Sequence, residues 1–157
     1  MKISPQKLAL GAIGLLVLIQ TYRPSRTNPP MDVKQDLSTT AKVDPAVLGI
    51  LDRSCNDCHS NRTVWPWYSG VAPVSWLVAS DVNGARRHMN FSAWGTYPSH
   101  QQQSHLDEIC KIVNEHDMPP LTYVLIHRNA ALSDADRQSI CDWTKSSPMG
   151  NSAAVLK

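Results

Sequence analysis

Residues Cys55-Asn56-Asp57-Cys58-His59 bring two thiols and an imidazole into five consecutive positions. Thiols at this spacing serve zinc sites, thiol redox motifs and covalent haem attachment. The histidine directly after the second thiol separates the last of these from the others. In that chemistry each thiol bonds a vinyl group of the macrocycle, and the histidine gives its imidazole to one axial face of the iron. A zinc reading requires a second ligand pair, and Cys110 with His116 has no recognisable spacing for one. The motif therefore predicts one haem c, held by Cys55 and Cys58, with His59 as proximal ligand.

Iron in such a centre has a second axial position, filled as a rule by methionine or histidine. Met118 is the candidate distal ligand, because Pro119 and Pro120 restrict the backbone behind it. It lies 59 residues past His59, enough chain to cross to the other face. The alternative distal ligand is His127, at the end of the apolar run Tyr123-Val124-Leu125-Ile126. His116 competes only if its loop turns differently, His88 suits a propionate or solvent, and His100 and His105 are expected to be exposed.

Arg62, Arg86 and Arg87 are candidate propionate partners, since guanidinium grips carboxylate in a two-pronged geometry. Trp65, Trp67, Tyr68 and Trp76 are candidates for packing on the macrocycle, with ordinary core packing equally compatible. Cys110 and Cys141 fall on the inner faces of two expected helices, which suggests an intramolecular disulfide bracing the Met118 loop.

The elements that must position these groups read as helical, with no strand alternation of useful length and no repeat. Asp44-Pro45 starts a short helix, carrying Val47, Leu48 and Leu51, that leads into Cys55. Trp65-Pro66-Trp67-Tyr68 breaks regular structure, and Pro73 opens a helix with Val74, Leu77, Val78, Val82 and Ala85 on one face. Residues 89–103 are expected to be irregular, followed by a helix capped by Ser104-x-x-Asp107 that stops before Met118. Ser133-x-x-Asp136 caps a last helix with Ile140, Cys141 and Trp143. The expected fold is a small all-α, cytochrome c-like domain with long ordered loops around the haem.

The chain has 157 residues, 42% of them hydrophobic and only 6% aromatic, so a bound macrocycle would enlarge a modest core. A net charge of +2 with no dense basic stretch argues against nucleic acid as a partner. The uncharged run Leu8–Tyr22, between Lys7 and Arg23, reads as an uncleaved signal anchor, because no small-residue cleavage site follows it. As a helix it spans about 22 Å, short of the ~30 Å hydrocarbon core, with Tyr22 and snorkelling lysines making up part of the deficit. The expected division is an N-terminal membrane segment over 1–22, a polar linker over 23–42, the haem domain over 43–146 and a flexible tail over 147–157.

Several blocks resemble the bacterial haem-binding domain family of exported c-type cytochrome proteins. They are Cys55-x-x-Cys58-His59-Ser60-Asn61, Trp65-Pro66-Trp67-Tyr68 and Val71-Ala72-Pro73-Val74-Ser75-Trp76. Asn90-Phe91-Ser92-x-Trp94 and Met118-Pro119-Pro120 with Tyr123 and His127 continue it, and Arg23-Pro24 with Arg26-Thr27-Asn28-Pro29-Pro30 precedes it. The similarity covers roughly 23–143 and implies a small mono-haem domain, often membrane-anchored. The expected function is electron transfer in the periplasm from a single-pass inner-membrane anchor, serving redox partner proteins and not acting as an enzyme. The alternative is a haem-based sensor or small peroxidase with an exchangeable sixth ligand.

Overall fold

The computed structural model describes residues 4–147, and all regular structure among them is helical. Eight α-helices run in order: α1 (Pro5–Ile19), α2 (Leu37–Thr40), α3 (Pro45–Ser54), α4 (Asn56–His59), α5 (Val74–His88), α6 (Ser99–Asn114), α7 (Leu121–Ile126) and α8 (Asp134–Ser146). Short 3₁₀ turns at Val33–Gln35, Trp67–Gly70, Phe91–Thr96 and Arg128–Ala130 fill the connections.

Start and stop chemistry explains most boundaries. The Asp44 side chain accepts from the Ala46 N–H and Pro45 occupies the first turn of α3, as expected. Ser133 and Asp136 form a reciprocal capping box on α8. The expected cap at Ser104 is corrected: α6 begins at Ser99, after Pro98, so Ser104 and Asp107 lie inside it. The glutamine run is helical because Gln102 folds inward and donates to the carbonyls of Trp94 (3.1 Å) and Tyr97 (2.8 Å). At the other end His116 adopts φ 65°, and the amides of His116 and Asp117 bond the carbonyls of Val113 and Ile112. That left-handed turn closes α6 and sends the chain toward Met118.

The core gathers Leu51 of α3, Phe91 and Trp94 of the 3₁₀ turn, Leu106, Ile109 and Val113 of α6, and Ile140 and Trp143 of α8. Cys110 and Cys141 form the disulfide that fastens α6 to α8, across a Cα separation of 4.7 Å. Arg53 ties α3 to the start of α8 through Asp136 at 2.7 Å and through the carbonyls of Asn129 and Ala131.

The N-terminal region differs from expectation in two ways. No helix among the described residues is long and apolar enough to cross a membrane. Pro5 fixes the start of α1 and the helix ends at Ile19, so its 15 residues fall short. Residues 23–42 do not hang free as a spacer: Asp36 and Leu37 are buried, and Asn28 donates to the Thr63 carbonyl at 2.9 Å. Gly95 is required where this strap crosses the Phe91–Thr96 turn, since a Cβ there would come within 2.9 Å of Thr40 Cγ2. The end of α1 is docked too, with the Gln20 amide exchanging two hydrogen bonds with the backbone of Ala72 (2.9 and 3.1 Å). Of the expected tail, 148–157 lies outside the described residues.

Candidate functional site

A cavity of about 530 Å³ opens between α5, α6 and α7, with a lining that is overwhelmingly apolar. The inward stripe of α5, including Val74, Leu77, Val78 and Val82, forms one wall, and Ile109, Ile112 and Val113 of α6 form another. Cys55, Cys58, His59 and Met118 all face this one space.

The first three arrive there because α3 delivers the motif at its end. Cys55 caps α3, and its carbonyl then accepts from the amides of Cys58 (3.1 Å) and His59 (2.9 Å), winding the motif into α4. Both thiols are free. Burial, reinforced by the neighbouring Cys58, pushes the Cys55 thiol up to about 12. Burial and then Asp57 push Cys58 up to about 11. The two thiols are therefore protonated at neutral pH, in surroundings suited to an apolar partner.

His59 is oriented from behind. Its Nδ1 lies 3.0 Å from the Met89 carbonyl, which requires Nδ1–H and leaves Nε2 with a lone pair. Phe91 stacks on the ring at 5.9 Å. Burial lowers the His59 pKa, partly offset by the Met89 bond, so the imidazole is neutral and competent as a ligand.

Asp57, inside the motif, does structural work. Its Oδ1 accepts from the Val64 amide at 3.0 Å and its Oδ2 from the Tyr123 hydroxyl at 2.8 Å, joining the attachment turn to α7. Burial and Asp57 together push the Tyr123 hydroxyl well above the ordinary phenol range, so it stays a donor.

The remaining expected residues divide sharply. Tyr68 lines the cavity, whereas Arg62, Trp65, Trp67, Arg86 and His127 do not. Arg86 is engaged within the protein, donating to the carbonyls of Ser60 and Thr27 and to the side chains of Asn28 and Thr63. Arg62 faces Asp52 and Asp36 at 3.6 and 3.9 Å. The Trp65 indole donates to Asn28, and Trp67 is 83% exposed. Trp76 donates to the Tyr22 carbonyl, and Arg87 is exposed. His127, the alternative distal ligand, does not line the cavity; Tyr68 engages its Nε2 at 2.6 Å and Tyr123 stacks on it at 4.3 Å.

Sequence reasoning missed His105, which is buried, not exposed, beside His88 and Glu108. It also missed the Met89 carbonyl, for which no side-chain signal exists. Met118 lies just past the left-handed turn at His116 and is 38% exposed at the mouth.

The donor set fits a haem. A flat, largely apolar macrocycle suits an apolar cavity of this size, and one neutral imidazole, one thioether and two thiols converge on it. No curated protein matches the chain, and neither does any solved structure. A family model described as a haem-binding domain matches residues 14–146, which include the whole cavity. The chain belongs to the haem-binding domain family.

Proposed function

We propose that this haem-binding protein is a mono-haem c-type cytochrome that carries electrons. The observation that carries the reading is the convergence of Cys55, Cys58, His59 and Met118 on one apolar cavity. When bound, the haem would supply a reversible one-electron change at iron. Each thiol would add S–H across one vinyl group, giving a thioether with no other product. His59 would ligate through Nε2 while Met89 holds its Nδ1–H. Met118 would take the opposite face, leaving no exchangeable position and hence electron transfer in place of substrate chemistry. The apolar walls keep water from the centre, and Tyr123 and Asp57 hold α7 against the attachment turn.

We further infer an oxidising location, the periplasm, with α1 resting in or on the inner membrane. A disulfide inside the core supports that compartment, and an α1 with no buried residue supports an apolar surrounding.

The test is haem extraction by acid-acetone from wild type and from the Cys55→Ala, Cys58→Ala double variant. Wild-type haem should stay with the protein and variant haem should leave; extractable wild-type haem would refute covalent attachment. Ready binding of CO by the unmutated ferrous protein would instead indicate a sensor or a peroxidase.

A further inference from the structure

In the cavity wall itself, whose lining includes His88 and Glu108, lies a second cluster of ligand-type groups that the haem reading does not use. His88 ends α5, and His105 and Glu108 sit one turn apart on α6. The side-chain donor atoms of the three residues all lie within 4.8 Å of one another. Glu108 Oε1 is 2.8 Å from His88 Nε2, and Glu108 Oε2 is 3.7 Å from His105 Nδ1.

We propose that His88, His105 and Glu108 form a binding site for a divalent transition-metal ion of the zinc class, distinct from the haem iron. The unexplained atom is His105 Nδ1. The residue is only 6% exposed, and this buried nitrogen makes no close hydrogen bond, its nearest partner being the Glu108 carboxylate at 3.7 Å. Buried polar atoms are nearly always satisfied, so an orphan directed at a carboxylate and a second imidazole calls for a ligand between them.

The geometry accepts one. Zinc binds imidazole nitrogen and carboxylate oxygen at about 2.0–2.2 Å, which places neighbouring tetrahedral donors about 3.4 Å apart. The 2.8 Å pair of His88 with Glu108 Oε1 has to open by about 0.6 Å, and the carboxylate has to turn so that its ligating oxygen also approaches His105 Nδ1, now 3.7 Å from Oε2. His88 and Glu108 have the freedom to do so, with side chains 58% and 41% exposed. His105 is the fixed member, packed edge-on against Tyr97 at 5.2 Å.

The outer shell is present as well. The Gln101 amide lies 3.4 Å from His105 Nε2. With metal on Nδ1 the proton moves to Nε2, and a half-turn of the amide offers Gln101 Oε1 as its acceptor. Two histidines and one glutamate leave a fourth position, on the exposed side of His88, for water.

The test is zinc titration of the chelator-washed full-length holoprotein by calorimetry, with bound metal counted after dialysis. One equivalent of Zn²⁺ should bind. His88→Ala and Glu108→Gln should each weaken it at least tenfold at unchanged haem content, which is measured alongside because both residues also line the cavity. Gln101→Leu should weaken it by about tenfold, as loss of an outer-shell partner does. His100→Ala and His116→Ala should change nothing. Absence of stoichiometric zinc, or binding indifferent to His88→Ala and Glu108→Gln, would overturn the site.

Discussion

The wall of the cavity that carries His59 and the wall that carries Met118 are built by opposite means. His59 stands on α4 with its Nδ1 bonded to Met89, its ring against Phe91, and Phe91 against a Trp94 that is fully buried. Behind it α6 and α8 are joined by the disulfide. Met118 instead follows a left-handed turn, lies 38% exposed, and leads into α7, which has no buried residue. Leu121 and Leu125 of α7 are 72% and 64% exposed. The imidazole is thus preset by the core, whereas the thioether has no such frame, and on the proposed reading the bound haem would complete its contacts. On that reading the His59 half would form with the domain and the Met118 half would settle onto the bound macrocycle.

The contrast can be broken by substitution. Phe91→Ala should cost about 3–5 kcal/mol in denaturant unfolding, as truncation of a buried aromatic does. A cost near zero would mean that the His59 wall is no firmer than its opposite. Replacing Cys110 and Cys141 together by serine should remove about 2–5 kcal/mol, measured as a lowered denaturation midpoint. Asp136→Asn should cost about 1 kcal/mol by weakening the α8 cap. Burial raises the Asp136 pKa, but hydrogen bonds from Ser133 and the Arg53 guanidinium outweigh it and hold the carboxyl below the usual range. Its contribution is therefore complete above the unfolded pKa of about 3.9 and is lost as the pH falls through the lower folded value. Stability curves of wild type and Asp136→Asn should converge in acid; a gap that widens there contradicts the assignment. Met118→Ala should cost the fold about 1 kcal/mol or less, while abolishing the near-infrared sulfur-to-iron band of the ferric protein. If that substitution destabilises as much as Phe91→Ala, the asymmetry is lost.

The parts legible in the sequence were those fixed by contiguity. The attachment motif, the Asp44-Pro45 start and the Ser133 capping box each depend on neighbours within a few residues. The α5 stripe was legible too, because a 3.6-residue period reports one face, and here that face is the cavity wall. Long-range choices were not. Arg86 finds its acceptors on residues 27, 28, 60 and 63, and nothing in its own surroundings distinguishes those from a propionate. His105 looks exposed amid glutamines until Tyr97 and Trp94 fold over it. The start of α6 was hidden because Gln102 satisfies carbonyls of the preceding turn, a contact that only the folded loop creates.

The four cysteines set a sorting problem for the cell that makes this protein. Four thiols admit three ways of forming two bridges, and the structure holds one, Cys110–Cys141, with Cys55 and Cys58 free. The packing of α6 on α8 brings Cys110 and Cys141 together, while α3 and α4 keep Cys55 and Cys58 in the cavity wall. With their pKa values raised to about 12 and about 11, those two are slow to attack a disulfide. On the proposed covalent attachment, closing the α6–α8 bridge first would leave the Cys55 and Cys58 thiols intact for the cofactor.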